Sequence, residues 1–552
     1  MLALLTVGVC VAELRVTTLP VFSQRNRLVY DMHAWKVCPF DQGRRVESVM
    51  DKLSGSKERL MPIVVDGNVT CTQMCTVNVT SLDIKRYMWA IDSEYMVKVM
   101  VEDRMSENEF KLGYRIGSDY FINNHLRLRL QSTGTKSELV KPTRVIVEAV
   151  SRKDGCSDTV GVGLMIPASS STISFSYEVI WEDELPALGI THWKFSTHQL
   201  FNAVTSCVIV LMVVIAVLLW LKREIGLSSE HHSDSWRSLH AEVFRKPSYP
   251  RLFSCLVGVG VGISCVLLLL FVARLLEWVE PGDVTLSLTR LSLLSSPVAG
   301  YVTSNTFLYM GGKRWEEVSA LTSLIIPIGL IWLLVTQSLF VWYSPSAPTR
   351  ATDPMVDFFG EASLLTLAVV VLIFIGGKIG SGAIKPVTSE ATLTKIPRQQ
   401  WYMKTWLWSL TSAVLVYIVF LPCLCLVHAS FLLDFIWKRH MQSISGVVGV
   451  VSLMSVFSCL LALASTYCQL CHRDYKWHWR SFCVGGSPGL VLIAHSVYYF
   501  FDQLDRSSIV AAWSYFGYMT ILSASVAAMM GALGSLASFR LVGVMYLANK
   551  VD

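Results

Sequence analysis

The hydrophobic pattern changes character once, near Leu200. Upstream, apolar and polar positions alternate in short runs. Leu126-Arg127-Leu128-Arg129-Leu130 places three leucines on one face and two arginines on the other. Residues Tyr95 to Val101, Val145 to Arg152 and Ile173 to Trp181 behave in the same way and are rich in β-branched and aromatic side chains. A period of two with that composition predicts half-buried strands. Clusters of Gly, Asn and Ser separate them, so residues 13–199 are expected to form an antiparallel, sandwich-like β-rich domain.

Downstream of Leu200 the period of two disappears and long apolar stretches follow one another. With about 20 apolar residues needed per crossing, these predict spans near 200–221, 252–276, 283–305, 318–343, 356–377, 405–428, 444–469, 482–501 and 509–533. The expected fold is therefore a polytopic α-helical membrane protein, a nine-span bundle over residues 200–533 behind an N-terminal lumenal β-rich domain. Arg540 interrupts the last apolar stretch, so residues 534–552 are expected to be a cytosolic tail with a helical start. A tenth crossing there would reverse the side of the terminus.

Loop charge tests this count. The segments 222–251, 306–317, 378–404 and 470–481 carry most of the loop Lys and Arg, including Lys222, Arg245, Lys313, Lys395, Arg473 and Lys476. The opposite loops hold Arg350, Lys438, Arg439 and Arg506 beside Glu277, Glu280, Asp283, Asp434, Asp502 and Asp505. That asymmetry is the positive-inside pattern and puts the domain outside and the tail inside.

Composition agrees. The chain is 53% hydrophobic and 16% charged, which excludes an ordinary soluble protein. The net charge of +6 is then a topological excess and not a nucleic-acid footprint, so no nucleic-acid partner is expected. Residues 1–12 have the short apolar run and small residues (Cys10, Ala12) of a secretory signal peptide. Asn68-Val69-Thr70 and Asn78-Val79-Thr80 are glycosylation sequons, consistent with a lumenal domain. Cys38, Cys71, Cys75 and Cys156 are even in number and suit two disulfides, with three connectivities open.

Four ionisable residues fall at membrane depth: Arg290, Asp357, Glu361 and His495. Asp357 and Glu361, four apart, share a helix face; with Arg290 they are either a polar transport site or groups reaching water near a span's end. Cys468-Gln469-Leu470-Cys471-His472 has the c-type haem attachment pattern but lies at a cytosolic span end, where a reduced pair is expected. No metal site and no cofactor are expected. Gly258, Gly260 and Gly262 sit in an apolar span and predict close helix packing. Neither HExxH nor a nucleophile–base spacing occurs, so an enzyme is not expected.

Several loop motifs resemble one family. Asp474-Tyr475-Lys476-Trp477-His478-Trp479-Arg480-Ser481-Phe482 is similar to the DYxWxWRSF loop of the nonaspanins, the transmembrane nine superfamily or endomembrane protein 70 family. Trp236, Leu239 and His240 with Val243-Phe244-Arg245, Ala299-Gly300-Tyr301-Val302, Gly311-Gly312-Lys313 with Trp315, and Ile396-Pro397-Arg398-Gln399 match as well. So do Tyr515-Phe516-Gly517-Tyr518, Lys550-Val551-Asp552 and, upstream, Tyr120-Phe121 with Asn123-Asn124-His125-Leu126-Arg127. Ala241-Glu242 and Gly531-Ala532-Leu533-Gly534 depart from the family pattern and mark a divergent branch.

The resemblance implies a non-enzymatic receptor or escort that sorts membrane proteins in the Golgi–endosome system. It implies cargo with glycine-rich spans, and a COPI coat that reads Lys550 and Asp552. A Lys ammonium and an Asp side chain beside a terminal carboxylate form a compact charged signal. The alternative class is a proton- or cation-coupled transporter using Asp357, Glu361 and Arg290.

Overall fold

The computed structural model describes most of residues 59–132, 144–153, 164–183, 243–325, 354–382, 399–430, 444–503 and 509–547, with short segments between 16 and 42 and isolated positions elsewhere. The expected signal peptide, most of the spans at 200–221 and 318–343, and the tail residues Lys550 and Asp552 lie outside the described residues.

Fifteen strands are described in the N-terminal region: β1 (Val16–Thr18), β2 (Val21–Ser23), β3 (Val29–Tyr30), β4 (Asp41–Gln42), β5 (Arg59–Met61), β6 (Val69–Val79), β7 (Tyr95–Val97), β8 (Val99–Val101), β9 (Arg104–Met105), β10 (Phe110–Lys111), β11 (Gly113–Ile116), β12 (Asp119–Ile122), β13 (His125–Ser132), β14 (Arg144–Val150) and β15 (Ser171–Asp183). The longest sheet has the order β14-β13-β15-β6, and a five-stranded sheet (β4-β5-β1-β8-β9) and a four-stranded one (β10-β7-β2-β3) accompany it. Leu126, Leu128 and Leu130, on the apolar face of β13, enter one core with Val145, Val147, Ile173, Val179 and Val16, as the alternation requires.

The all-antiparallel expectation fails at one pair: β13 and β15 run parallel, in register from His125↔Ser176 to Ser132↔Asp183. The cause is strand order. β14 and β15 are consecutive and still reverse direction, but β13 lies between them. The exposed side of β14 is closed by a side chain, since the Asn108 amide accepts from Val147 N at 2.8 Å and donates to Val147 O at 2.6 Å. It thereby imitates one residue of a neighbouring strand.

One helix was not anticipated, α1 (Ser81–Asp92). A capping box starts it: Thr80 Oγ1 accepts from Asp83 N, and the Asp83 carboxylate accepts from Thr80 N. Ile84, Tyr87, Ala90 and Ile91 then point into the sheet core.

The remainder is helical: α2 (Pro250–Leu275), α3 (Val284–Tyr309), α4 (Pro354–Ser381), α5 (Thr405–Ser430), α6 (Ile444–Cys471), α7 (Trp477–Gly485), α8 (Ser487–Gln503) and α9 (Ile509–Leu547). Among the described residues, five helical stretches are long and apolar enough to cross a membrane: Pro250–Ala273, Ser363–Ser381, Val448–Cys471, Trp477–Asp502 and Tyr515–Tyr546. α9 packs against α2, α6, α7 and α8, while α3 joins α2 to α4.

Solvent preference is inverted on the outer faces. Leu364, Leu367, Val371, Ile375 and Ile379 of α4 are all exposed, three or four residues apart, and Trp406, Leu410, Val414 and Ile418 repeat this on α5. Helix-period stripes of bare Leu, Ile and Val are what a lipid solvent favours and water does not.

Glycine permits the tight helix contacts. A Cβ on Gly260 would overlap the Ala528 carbonyl of α9, and one on Gly376 would overlap the Pro297 carbonyl of α3. Backbone stands on both sides of each contact, so neither can give. Gly258, Gly262, Gly531 and Gly534 are likewise used up inside the bundle, against Thr303, Ala299, Phe482 and Ala462.

Candidate functional site

Several motif residues from separate parts of the chain, among them Leu239, Val243, Arg245, Tyr475 and Trp477, converge at one end of the bundle. α7 opens with Trp477, fully buried, whose Nε1 donates to Val243 O at 3.1 Å. Trp479 Nε1 donates to Ser248 O. Phe253, at the start of α2, makes ring contacts with His478, Trp479, Phe482 and Phe539. Leu239, Val243, Tyr467, Leu470, Val542, Met545 and Tyr546 complete the apolar centre of this end. The last turns of α9 thus pack Val542, Met545 and Tyr546 into this end.

Arg480 is the polar centre of that cluster and is only 1% exposed. Its Nε donates to Ser465 Oγ at 3.0 Å and its Nη1 to Met403 O at 3.0 Å, tying α7 to α6 and to the 3-10 turn Trp401–Met403. The guanidinium lies 4.9 Å from the Trp408 ring centroid. Among the described residues its Nη2 has no hydrogen-bond partner. At the rim Gln399 Nε2 donates to His472 O at 3.0 Å, Arg245 lies over the Tyr475 ring, and Arg251 and Arg314 both pair with Glu317.

A second meeting point lies at the other end. Met96 of β7 is buried with Phe500 of α8 and with Tyr515 and Met519 of α9. Tyr515 Oη donates to Ser496 O at 3.0 Å and fixes that aromatic corner. Tyr515 and Tyr546 bound a 32-residue stretch of one helix, which at 1.5 Å per residue separates the two ends by about 46 Å. A bilayer with its headgroups is about 40–45 Å thick.

The other predicted positions are distributed as follows. Asn68 and Asn78 are both exposed, and Asn68 Oδ1 accepts from Trp181 N. The four cysteines pair as Cys38–Cys75 and Cys71–Cys156. Asp357 and Glu361 lie in the first two turns of α4, but their side chains are outside the described residues. Arg290 is exposed on α3. At Cys468-Gln469-Leu470-Cys471-His472, His472 Nδ1 turns back to Cys468 O at 2.8 Å. Among the described residues, no three His, Cys, Asp or Glu side chains converge as a metal site.

Sequence reasoning missed the Met96 contact and a polar cluster behind Asn124. The Asn124 amide donates to Arg152 O and Ser174 O and accepts from Arg152 N. His125, fully buried beside it, has Nδ1 2.8 Å from Ser176 Oγ, with Glu178 and its partner Arg127 on the other side of the ring. Burial, then the Arg152 charge, hold the His125 pKa below its ordinary value, opposed by Glu178. Burial works to raise the Glu178 pKa, but the hydrogen bond and charge of Arg127 outweigh it and the net shift is downward.

The endomembrane protein 70 family profile matches residues 29–509. The chain is 22% identical to transmembrane 9 superfamily member 4 of Mus musculus, over 96% of this chain and 92% of that protein. It is 25% identical to transmembrane 9 superfamily member 10 of Arabidopsis thaliana, with the same two coverages. A transmembrane 9 superfamily protein of Schizosaccharomyces pombe is also 25% identical, over 96% of this chain and 90% of its own length. No solved structure gives a significant match. With a profile matched over most of its length and relatives aligned over nearly all of it, the chain belongs to the endomembrane protein 70 family of transmembrane 9 proteins.

Proposed function

We propose that this protein is a non-enzymatic membrane receptor or escort of the Golgi–endosome system. It crosses the bilayer nine times, with a lumenal N-terminal domain and a cytosolic end. The observation that carries this reading is the separation of the two meeting points along α9. The N-terminal domain docks through Met96 beside Tyr515, and the far end of α9 is packed around Tyr546. About 46 Å of helix lies between them, enough to cross a bilayer.

Cargo then has two surfaces to meet, the lumenal domain and the bare apolar stripes of α4 and α5. The glycines Gly258, Gly260 and Gly262 are not available, being packed within the bundle. Cargo with glycine-rich spans would dock its own small residues against the side chains of those stripes. On the opposite side Lys550 and Asp552 are the groups for a COPI coat to read. Replacing both by Ala in the full chain is expected to move a fluorescently tagged protein out of the Golgi. Unchanged Golgi residence would remove the coat signal from this account. Crosslinking from residue 371 or 375 on α4 in membranes, followed by mass spectrometry, is expected to recover membrane-protein cargo. Recovery of lipid alone would remove the escort role.

A further inference from the structure

The two disulfides of the N-terminal domain stand in opposite environments. Cys38 is 1% exposed and belongs to the main apolar core, and Cys75 packs against the same core. Cys156, by contrast, is exposed, and its partner Cys71 is only half-buried, on β6. The surroundings of Cys71 are polar and cationic. Arg152 Nη1 lies 4.0 Å from its Sγ and His125 Nδ1 lies 3.8 Å from it. The Arg152 backbone is clamped on both its N–H and its C=O by the Asn124 amide, which fixes the point from which its side chain reaches Cys71. Arg127 and Glu178 close the far side of His125, and Glu178 is already paired with Arg127.

We infer that Cys71–Cys156 is an exchangeable bridge, and Cys156 a site of reversible modification by a small thiol of the glutathione class. Disulfide exchange is fastest when the attacked sulfur is accessible and the leaving sulfur is stabilised as a thiolate. Both conditions are met here in one direction. A glutathione thiolate attacks Cys156 Sγ from solvent and forms a new S–S bond there. The electron pair of the old bond leaves on Cys71 Sγ, which faces Arg152 and His125 as a thiolate. A second glutathione thiolate then attacks the glutathione sulfur of the mixed disulfide. That step releases oxidised glutathione and the Cys156 thiolate, and both protein thiolates take protons from water. The net change is two glutathione molecules oxidised and one bridge reduced.

Exchange unlatches the edge strand β6 from the segment that follows β14. The sheet itself is not opened, because β6 stays paired with β15, Asn124 still joins the Arg152 segment to β15 and Cys38–Cys75 stays in the core. The Cys38–Cys75 bridge is thus an internal reference in the same molecule.

The test uses the full chain in native membranes, equilibrated with graded mixtures of reduced and oxidised glutathione. Acid quenching, alkylation and non-reducing peptide mass spectrometry then read each bridge separately. Cys71 and Cys156 are expected to be alkylated at glutathione ratios that leave Cys38–Cys75 intact, with a Cys156–glutathione adduct trapped early. Arg152→Gln is expected to slow opening by about threefold or more, and Arg152→Lys to restore most of the rate. Simultaneous opening of both bridges, opening only in denaturant, or an unchanged rate in Arg152→Gln with Cys38–Cys75 intact would overturn the inference. So would peptides joining these cysteines in another pairing.

Discussion

Removing the Arg480 guanidinium perturbs the point at which α6, α7 and the Trp401–Met403 turn are tied together. Arg480→Ala strands the Met403 carbonyl and Ser465 Oγ, both now 3.0 Å from a charged donor. Two such hydrogen bonds at about 1.5–3 kcal/mol each, with two methylenes at about 0.8 kcal/mol each, give a gross loss of about 5–8 kcal/mol. Against this stands the cost of keeping a cation buried, with Nη2 unpartnered among the described residues. That cost is several kcal/mol and is relieved by the substitution, leaving a net loss of about 2–4 kcal/mol. Arg480→Met keeps the aliphatic stem while removing the charge, and is expected to cost only about 0–2 kcal/mol. The assay is unfolding of the purified full chain by sodium dodecyl sulfate in detergent micelles, followed by tryptophan fluorescence. The order wild type, Met, Ala in decreasing stability is expected. A Met variant less stable than the Ala variant would refute the reasoning, because packing of the aliphatic stem would then contribute nothing favourable at the site.

Other consequences follow from the same structure. Thr80→Ala removes the capping-box acceptor of α1 and is expected to destabilise the N-terminal domain by about 1 kcal/mol, read as a lower thermal midpoint of the full chain. Gly376→Val forces a side chain into the Pro297 carbonyl and is expected to cost about 1–3 kcal/mol or abolish folding; Gly449→Ala, where a Cβ meets nothing, is the control and should be near neutral. Acid is expected to weaken the N-terminal domain. His125 is buried with a lowered pKa, so its contribution is complete above its ordinary value of 6.5 and is lost as pH falls below it. The lowered pKa of Glu178 acts in the same direction further down, present above its ordinary 4.5 and lost as pH falls through the lowered value. Thermal midpoints between pH 7.5 and 5 should therefore decline, and less steeply in His125→Asn.

The parts legible in the sequence were those set by local periodicity. The span expected at 252–276 is helix Pro250–Leu275, and that at 444–469 is helix Ile444–Cys471. Long apolar runs need no tertiary information to be recognised. The strand at Leu126–Leu130 was visible for the same reason, whereas its parallel partner β15 was not. Alternation says which face is buried but not which strand lies alongside. Helix α1 is not legible although Thr80 and Asp83 have capping-box spacing, because the strand β6 runs directly into its cap at Val79. The WxWR segment was recognised by resemblance alone. Its physical role, a buried guanidinium bonded to a carbonyl 77 positions away, exists only once the helices are packed. Likewise nothing in the local sequence marks Met96 as the residue that meets Phe500.

The central claim is that the N-terminal domain and the chain's end lie on opposite sides of one membrane. The most direct measurement uses sealed microsomes containing the full chain with an epitope fused after Asp552. The account predicts glycan-dependent mobility from Asn68 or Asn78 that resists added protease and glycosidase, while the epitope is lost to protease without detergent. An epitope protected together with the glycosylated domain would contradict it, because the crossings would then be even in number.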